Sequence, residues 1–181
     1  MEKSESMPLG VVIERQRSDH PWSDFNWRPV AVIPGAPALD CRGEWTELRQ
    51  GEGWIQYHCG TLRLELFRAE TEGYKVNLSQ TPPRIYVLLR RDDDPDSPHD
   101  YLPFLVTASP YEAQDYLDSG EEIVEAVPMP EDVAAFIQAF VEVHHKDEVF
   151  TKRKRKKATT GDELFSRRPP VSLPPKARRG P

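Results

Sequence analysis

"TLRLELFRAETEGYKVNLSQTPPRIYVLLR", residues 61–90, is the stretch on which the fold turns. Leu62, Leu64 and Leu66 alternate with Arg63 and Glu65. Tyr74, Val76 and Leu78 repeat the spacing, and Ile85, Val87 and Leu89 close the run. A period of two is the mark of a half-buried strand, because successive side chains point to opposite faces. Upstream, "GWIQYHC" extends the pattern, with Trp54, Gln56 and His58 on one face and Ile55 and Tyr57 on the other. Short connections at Cys59-Gly60, at Glu70 to Gly73 and at Gln80 to Pro83 suit hairpins. The expectation is a four-stranded antiparallel meander with its apolar face toward a core.

Toward the N-terminus, "PLGVVIERQ" and "RPVAVIP" read as two further strands. Pro29 restricts the second to a strand opening or an edge, since proline has no N–H for a ladder. Pro34-Gly35 fits the centre of a type II turn that stops it. Downstream, "RRDDDPDSPHDY" is acidic, proline-broken and without periodicity, and so reads as a solvated loop. Ser109-Pro110-Tyr111-Glu112 places a cap, a first-turn proline and a capping-box glutamate in order, so a short helix should run to about Asp118 and stop at Gly120. "EEIVEAVP" is one more strand. In "PEDVAAFIQAFVEVHHKDEVF", Val133, Phe136, Ile137, Phe140, Val141 and His144 form one apolar stripe at helical spacing, behind an acidic first turn. The predicted class is α+β: a curved antiparallel sheet of about six or seven strands, two helices in the C-terminal half and a basic tail.

Charge divides the 181 residues in two. Residues 151–181 carry eleven Lys and Arg against two acids, a net +9, while residues 1–150 carry thirteen basic and twenty-eight acidic side chains, a net −15. The first part is expected to be an acidic α+β domain. The second is proline-rich and poor in core residues, and its composition predicts disorder in isolation. No run of about eighteen apolar residues is present to span a bilayer. The N-terminal segment lacks the basic start and long apolar centre of a secretory signal, so a cytoplasmic location is expected. Cys41 and Cys59 do not make a close pair, and a disulfide framework is not expected.

Chemistry-bearing patterns are sparse. Neither G-x-x-x-x-G-K-[ST] nor G-x-G-x-x-G occurs, so no glycine loop cradles a phosphate. His58-Cys59, Cys41, His99, His20 and His144-His145 are the available soft ligands. Adjacent residues diverge on a strand or a helix, however, and a closed metal site needs several converging ligands. Neither cysteine lies in a nucleophile signature. Arg68, Glu70, Glu72 and Asn77 could gather on a sheet rim, although solvated residues around a turn explain them more simply. No catalytic residue, metal or cofactor is therefore assigned.

Lys152, Arg153, Lys154, Arg155, Lys156 and Lys157 form the one strong charge run. Polyanions such as nucleic acid are repelled by the acidic body, and no aromatics interleave with the run for base stacking. An acidic protein surface is the better target. Leu164 and Phe165, in "DELFSRRPP", are the only large apolar anchors of what resembles a short docking segment.

Several phrases together resemble an uncharacterised proteobacterial family, domain of unknown function thirty-three-oh-five. They are "WRPVAVIPGA", "LELFRAETEGYKVNL", "PPRIYVLLR", "VTASPYEAQDYLDSGEEIVEAVPMPE" and "FVEVHHKDEVFTKRKRKK". The family resembles products encoded beside molybdenum-containing formate dehydrogenases and their maturation factors. The resemblance implies a non-enzymatic accessory role, with a formate dehydrogenase subunit or maturation factor as partner. Some relatives carry the label of molybdopterin-guanine dinucleotide biosynthesis protein A, which implies a nucleotide or cofactor transferase as the alternative. The glycine-rich loop of that transferase is missing from "PLGVVIERQRSDHPWSDFNW". Nucleic-acid binding through the basic run is the second alternative. On the body, Trp22, Trp27 and Arg28, at the mouth of the "RPVAVIP" strand, are the expected partner-binding residues.

Overall fold

A computed structural model describes residues 4–147. Seven strands divide between two antiparallel sheets, and three helices accompany them. The first sheet contains β1 (Ser4–Arg17), β2 (Phe25–Pro34), β3 (Thr46–Gly51) and β4 (Trp54–Phe67) in the order β2-β1-β4-β3. The second contains β5 (Arg84–Arg91), β6 (Tyr101–Thr107) and β7 (Ile123–Pro128) in the order β6-β5-β7. The expected single curved sheet is thus two sheets, with β2 lying near β7 and β4 near β6.

The meander is the main correction. "GWIQYHC" and "TLRLELF" are one fourteen-residue strand, β4, paired along almost its whole length with β1. At Cys59-Gly60 the register shifts, with Val11 opposite Gly60 and Val12 opposite His58. A bulge absorbs the extra residue and bends the strand instead of reversing it. "GYKVNLS" is no strand either: a 3-10 turn (Arg68–Glu70) leads into helix α1 (Thr71–Leu78). Its buried residues are Thr71, Gly73, Tyr74 and Asn77, which is helical spacing, while Val76 faces out. The Asn77 amide donates to the carbonyls of Arg84 and Ala108, both at 2.7 Å, and its oxygen accepts the Arg84 N–H at 2.9 Å. Tertiary bonds of this kind hold a helix too short to persist alone.

The other two helices lie where the sequence puts them. Helix α2 (Pro110–Ser119) has Ser109 as its cap, accepting the Glu112 N–H, and Gly120 stops it in the left-handed region. The Glu112 carboxylate accepts from the Thr107 hydroxyl at 2.6 Å, and that hydroxyl accepts the Ser109 N–H. The capping box is therefore relayed through a side chain outside the helix. Helix α3 (Glu131–His144) buries Val133, Ile137, Phe140, Val141 and His144, and Phe140 meets Tyr74 of α1 edge to face. Apart from His144, these join Leu9, Val11, Ile13, Leu64, Leu66, Ile85, Val87 and Leu89 in one core. Each fully buried aliphatic side chain there contributes roughly 1.5–3 kcal/mol.

Two strands escape the sequence pattern: β3, in which every residue is exposed, and β6, which contains Pro103. Between β2 and β3 the chain folds back over the outer face of the first sheet. The Thr61 hydroxyl donates to the Pro37 carbonyl and the Thr61 N–H to the Leu39 carbonyl. Gly10 and Gly60 make room for this loop. A β-carbon on Gly10 would collide with Ala36 and His58, and one on Gly60 with the Cys41 sulfur. The loop then delivers Trp45 into the core.

Candidate functional site, an arginine and aromatic cleft

Strand alternation gives the first sheet two chemically different faces beside the β1–β2 end. On one, Arg28, Glu14, Gln56 and Arg49 form a ladder across β2, β1, β4 and β3. Arg28 lies 3.5 Å from the Glu14 carboxylate, Gln56 donates to Glu14 at 2.8 Å, and Arg49 donates to Gln56 at 2.7 Å. On the other face, Arg15 stands among rings, its guanidinium carbon 4.4 Å from the Phe25 centroid and 5.8 Å from those of Trp27 and Tyr57. A planar guanidinium stacks well on aromatic faces, and half-burial strengthens the attraction.

Behind Arg15 the rings interlock. Trp27 meets Trp45 edge to face at 5.8 Å, and Trp45 stacks on His99 at 3.4 Å with their planes 6° apart. Both indole N–H groups are engaged: Trp27 donates to Asp100 Oδ2 at 3.0 Å and Trp45 to the Cys41 carbonyl at 3.1 Å. His99 Nδ1 is buried without a hydrogen-bond partner. Burial holds the His99 imidazole below its ordinary range, more strongly than nearby Asp92 and Asp100 raise it. A neutral ring suits its stacked position.

In front of Arg15 opens a cleft of about 710 Å³, lined among others by Trp22, Phe25, Trp27, Arg91, Asp100 and Tyr101. Trp22 is 88% exposed and Trp27 only 9%, so one indole forms an open lip and the other a wall. Arg91 also lines a neighbouring cleft of about 510 Å³ beside Arg42, Arg90 and Phe104. Arg90 is committed there, bound to Glu122 at 2.9 Å and stacked 3.6 Å over Phe104. Among the described residues, the guanidinium groups of Arg15, Arg42 and Arg91 meet no carboxylate at ion-pair distance.

The three body residues expected to bind a partner therefore separate. Trp22 and Trp27 share the cleft, while Arg28, the next residue along the strand from Trp27, points to the ladder face. Lys152, Arg153, Lys154, Arg155, Lys156, Lys157, Leu164 and Phe165 lie outside the described residues. Arg15, Arg91 and Trp45 escaped the sequence reading, which weighed His99 only as a metal ligand, since residues 15, 45, 91 and 99 converge only through the fold. The rim cluster around residues 68–77 disperses: Glu70 accepts from the Ser109 hydroxyl at 2.8 Å, Glu72 faces His145 at 3.6 Å, and Asn77 is fully buried.

Among the described residues, no group of three or more His, Cys, Asp or Glu is arranged to hold a metal. Burial pushes both thiols above the ordinary range, Cys59 well above it, opposite to the shift that activates a nucleophile. No described helix is long and apolar enough to cross a membrane.

Compared with known families, residues 8–156 match the one described as Protein of unknown function (DUF3305). The chain belongs to that family. The matched span takes in both sheets except the first four residues of β1, all three helices and every residue of the DUF3305 cleft. Comparison with curated proteins and with solved structures returned no match.

Proposed function

We propose that this DUF3305 chain is a non-catalytic accessory protein that captures a protein partner at the Arg15–Trp22–Arg91 cleft. One observation carries the reading: half-buried Arg15 and exposed Arg91 flank an open aromatic cleft, and among the described residues neither guanidinium lies at ion-pair distance from a carboxylate, although Asp24 and Asp100 also line the cleft. Desolvating a cation without a counter-charge costs free energy, which a bound partner can recover. Exposed tryptophan beside arginine is the composition enriched where binding energy concentrates in interfaces. Burial raises both thiols, which disfavours a cysteine nucleophile.

The partner follows from the resemblance in the sequence: a subunit or maturation factor of a molybdenum-dependent formate dehydrogenase, met in the cytoplasm. Affinity purification from the native host tests this, with mass spectrometry of what accompanies the full chain. Formate dehydrogenase subunits should be recovered with the unaltered protein and lost with the Trp22→Ala, Arg91→Glu double variant. Equal recovery with both proteins would remove the cleft from the reading, and no recovery with either would remove the pathway.

A further inference from the structure

We infer that the end of the first sheet carries a separate pocket for the phosphate group of a small monoester. Arg15 and Arg17 of β1, Gln50 of β3 and Ile55 of β4 line it, with the rings of Phe25 and Trp54, around a volume of about 150 Å³. Strand register assembles these groups. Arg15 and Arg17 are two residues apart on β1, so they share a face at a spacing of about 7 Å. Arg15 pairs with Ile55 and Ile55 with Gln50, which sets the three in one row across β1, β4 and β3. The Arg17 N–H donates to the Gly53 carbonyl at 2.8 Å, and the glycine there adds no side chain to close the pocket. The inference is independent of the capture role, because Arg17 and Gln50 do not line that cleft.

Charge in this pocket has one sign. In the larger cleft Asp24 and Asp100 stand with Arg15 and Arg91, but among the described residues no aspartate or glutamate lines the small pocket. Neither Arg15 nor Arg17 meets a carboxylate at ion-pair distance among those residues. Like charges on neighbouring positions of one face repel, and an anion placed between them relieves both. Guanidinium forks donate in parallel to phosphate oxygens, and the Gln50 amide adds a neutral donor. The double charge of a phosphate monoester answers both cations, whereas one carboxylate answers a single cation. Phe25 and Trp54 offer apolar ring surface to the organic part of the ester. The small volume and the net −15 of residues 1–150 both oppose a polyanion.

The test uses the full chain and phenyl phosphate, followed by isothermal titration calorimetry at low salt. Because the tail is itself basic, a full-length variant with all six residues from Lys152 to Lys157 changed to Gln runs alongside. Arg17→Ala should weaken binding about tenfold, and Gln50→Glu, which sets a carboxylate against the phosphate, should abolish it. Both side chains are exposed, so both variants should keep the fold. The Gln tail variant should stay within about twofold of the unaltered protein, as substitutions distant from a site do. Acetate should bind at least about tenfold more weakly than phenyl phosphate, and inorganic phosphate several-fold more weakly. Absence of binding to the unaltered chain would overturn the site. So would binding that survives Arg17→Ala and Gln50→Glu but vanishes in the tail variant. Equal binding of acetate would overturn the phosphate class, and tighter binding of inorganic phosphate would overturn the ester.

Discussion

Asn77 and Arg15 both place a polar group among rings and apolar side chains, and they do so in opposite ways. Asn77 is fully buried, and its amide makes three bonds that tie α1 to β5 and to the entry of α2. Arg15 is half-buried, clad by three rings, and has no anionic partner among the described residues. A saturated polar group specifies packing, whereas an unsaturated one at a cleft is chemistry held for something else. On that contrast, the proposed reading makes the helical half the scaffold and the open end of the first sheet the working surface.

Substitution can break the contrast from either side. Asn77→Ala strands the Arg84 N–H and two carbonyls, so stability should fall by about 3–5 kcal/mol in chemical denaturation. The fraction that stays folded should still capture partner. Gly60→Val drives a side chain into Cys41 and lifts the loop that carries Trp45, at about 2–3 kcal/mol. This variant should lose both stability and capture, since it loosens the wall of the cleft. Arg91→Glu should shift stability by no more than about 0.5 kcal/mol, because the side chain is exposed and makes no ion pair among the described residues, yet it should abolish capture.

Two smaller effects sharpen the contrast. His99 is held neutral by burial, so as pH falls below its ordinary 6.5 the unfolded chain takes the proton first. Its contribution to stability is complete above 6.5 and declines as pH drops toward the lower value of the folded state. Thermal unfolding between pH 7 and pH 5 should show that slope, and His99→Phe should reduce it. Arg28→Ala removes only a solvent-screened ion pair and should cost no more than about 0.5 kcal/mol, with capture unchanged. A large loss of capture in Arg28→Ala would place the working surface on the ladder face instead.

Elements with self-contained signals were legible in the sequence. Helix α3 carries a full apolar stripe, α2 carries its cap and stop, and β1, β2 and β7 are short apolar runs between breakers. Helix α1 was not legible, because eight residues give barely two turns, and Tyr74, Val76 and Leu78 alternate by chance. What fixes it as a helix is Asn77 bonding to residues 84 and 108. The supposed hairpin at Cys59-Gly60 is a bulge because β1 supplies a partner on both sides of it, a long-range pairing no local pattern contains. Pro103 argues against a central strand, and β6 tolerates it as the outer strand of its sheet. At the site, Trp27 was found with its direction unknown, and the parity of the strand sent its neighbour Arg28 to the other face. Arg15 and Arg91 are ordinary surface cations until the two sheets bring them together.

The outer strand β3 bears on how the molecule behaves in a crowded solution. Six exposed residues at the rim of a sheet offer backbone donors and acceptors to any passing strand. Here Glu47 and Arg49 bracket a register shift at Leu48, which breaks the flat repeat that edge-to-edge stacking requires. One extra residue and two charges of opposite sign at the rim therefore oppose such pairing. Deleting Leu48 while replacing both charges with threonine should leave the fold intact and increase concentration-dependent aggregation over that of the unaltered protein, as light scattering would show.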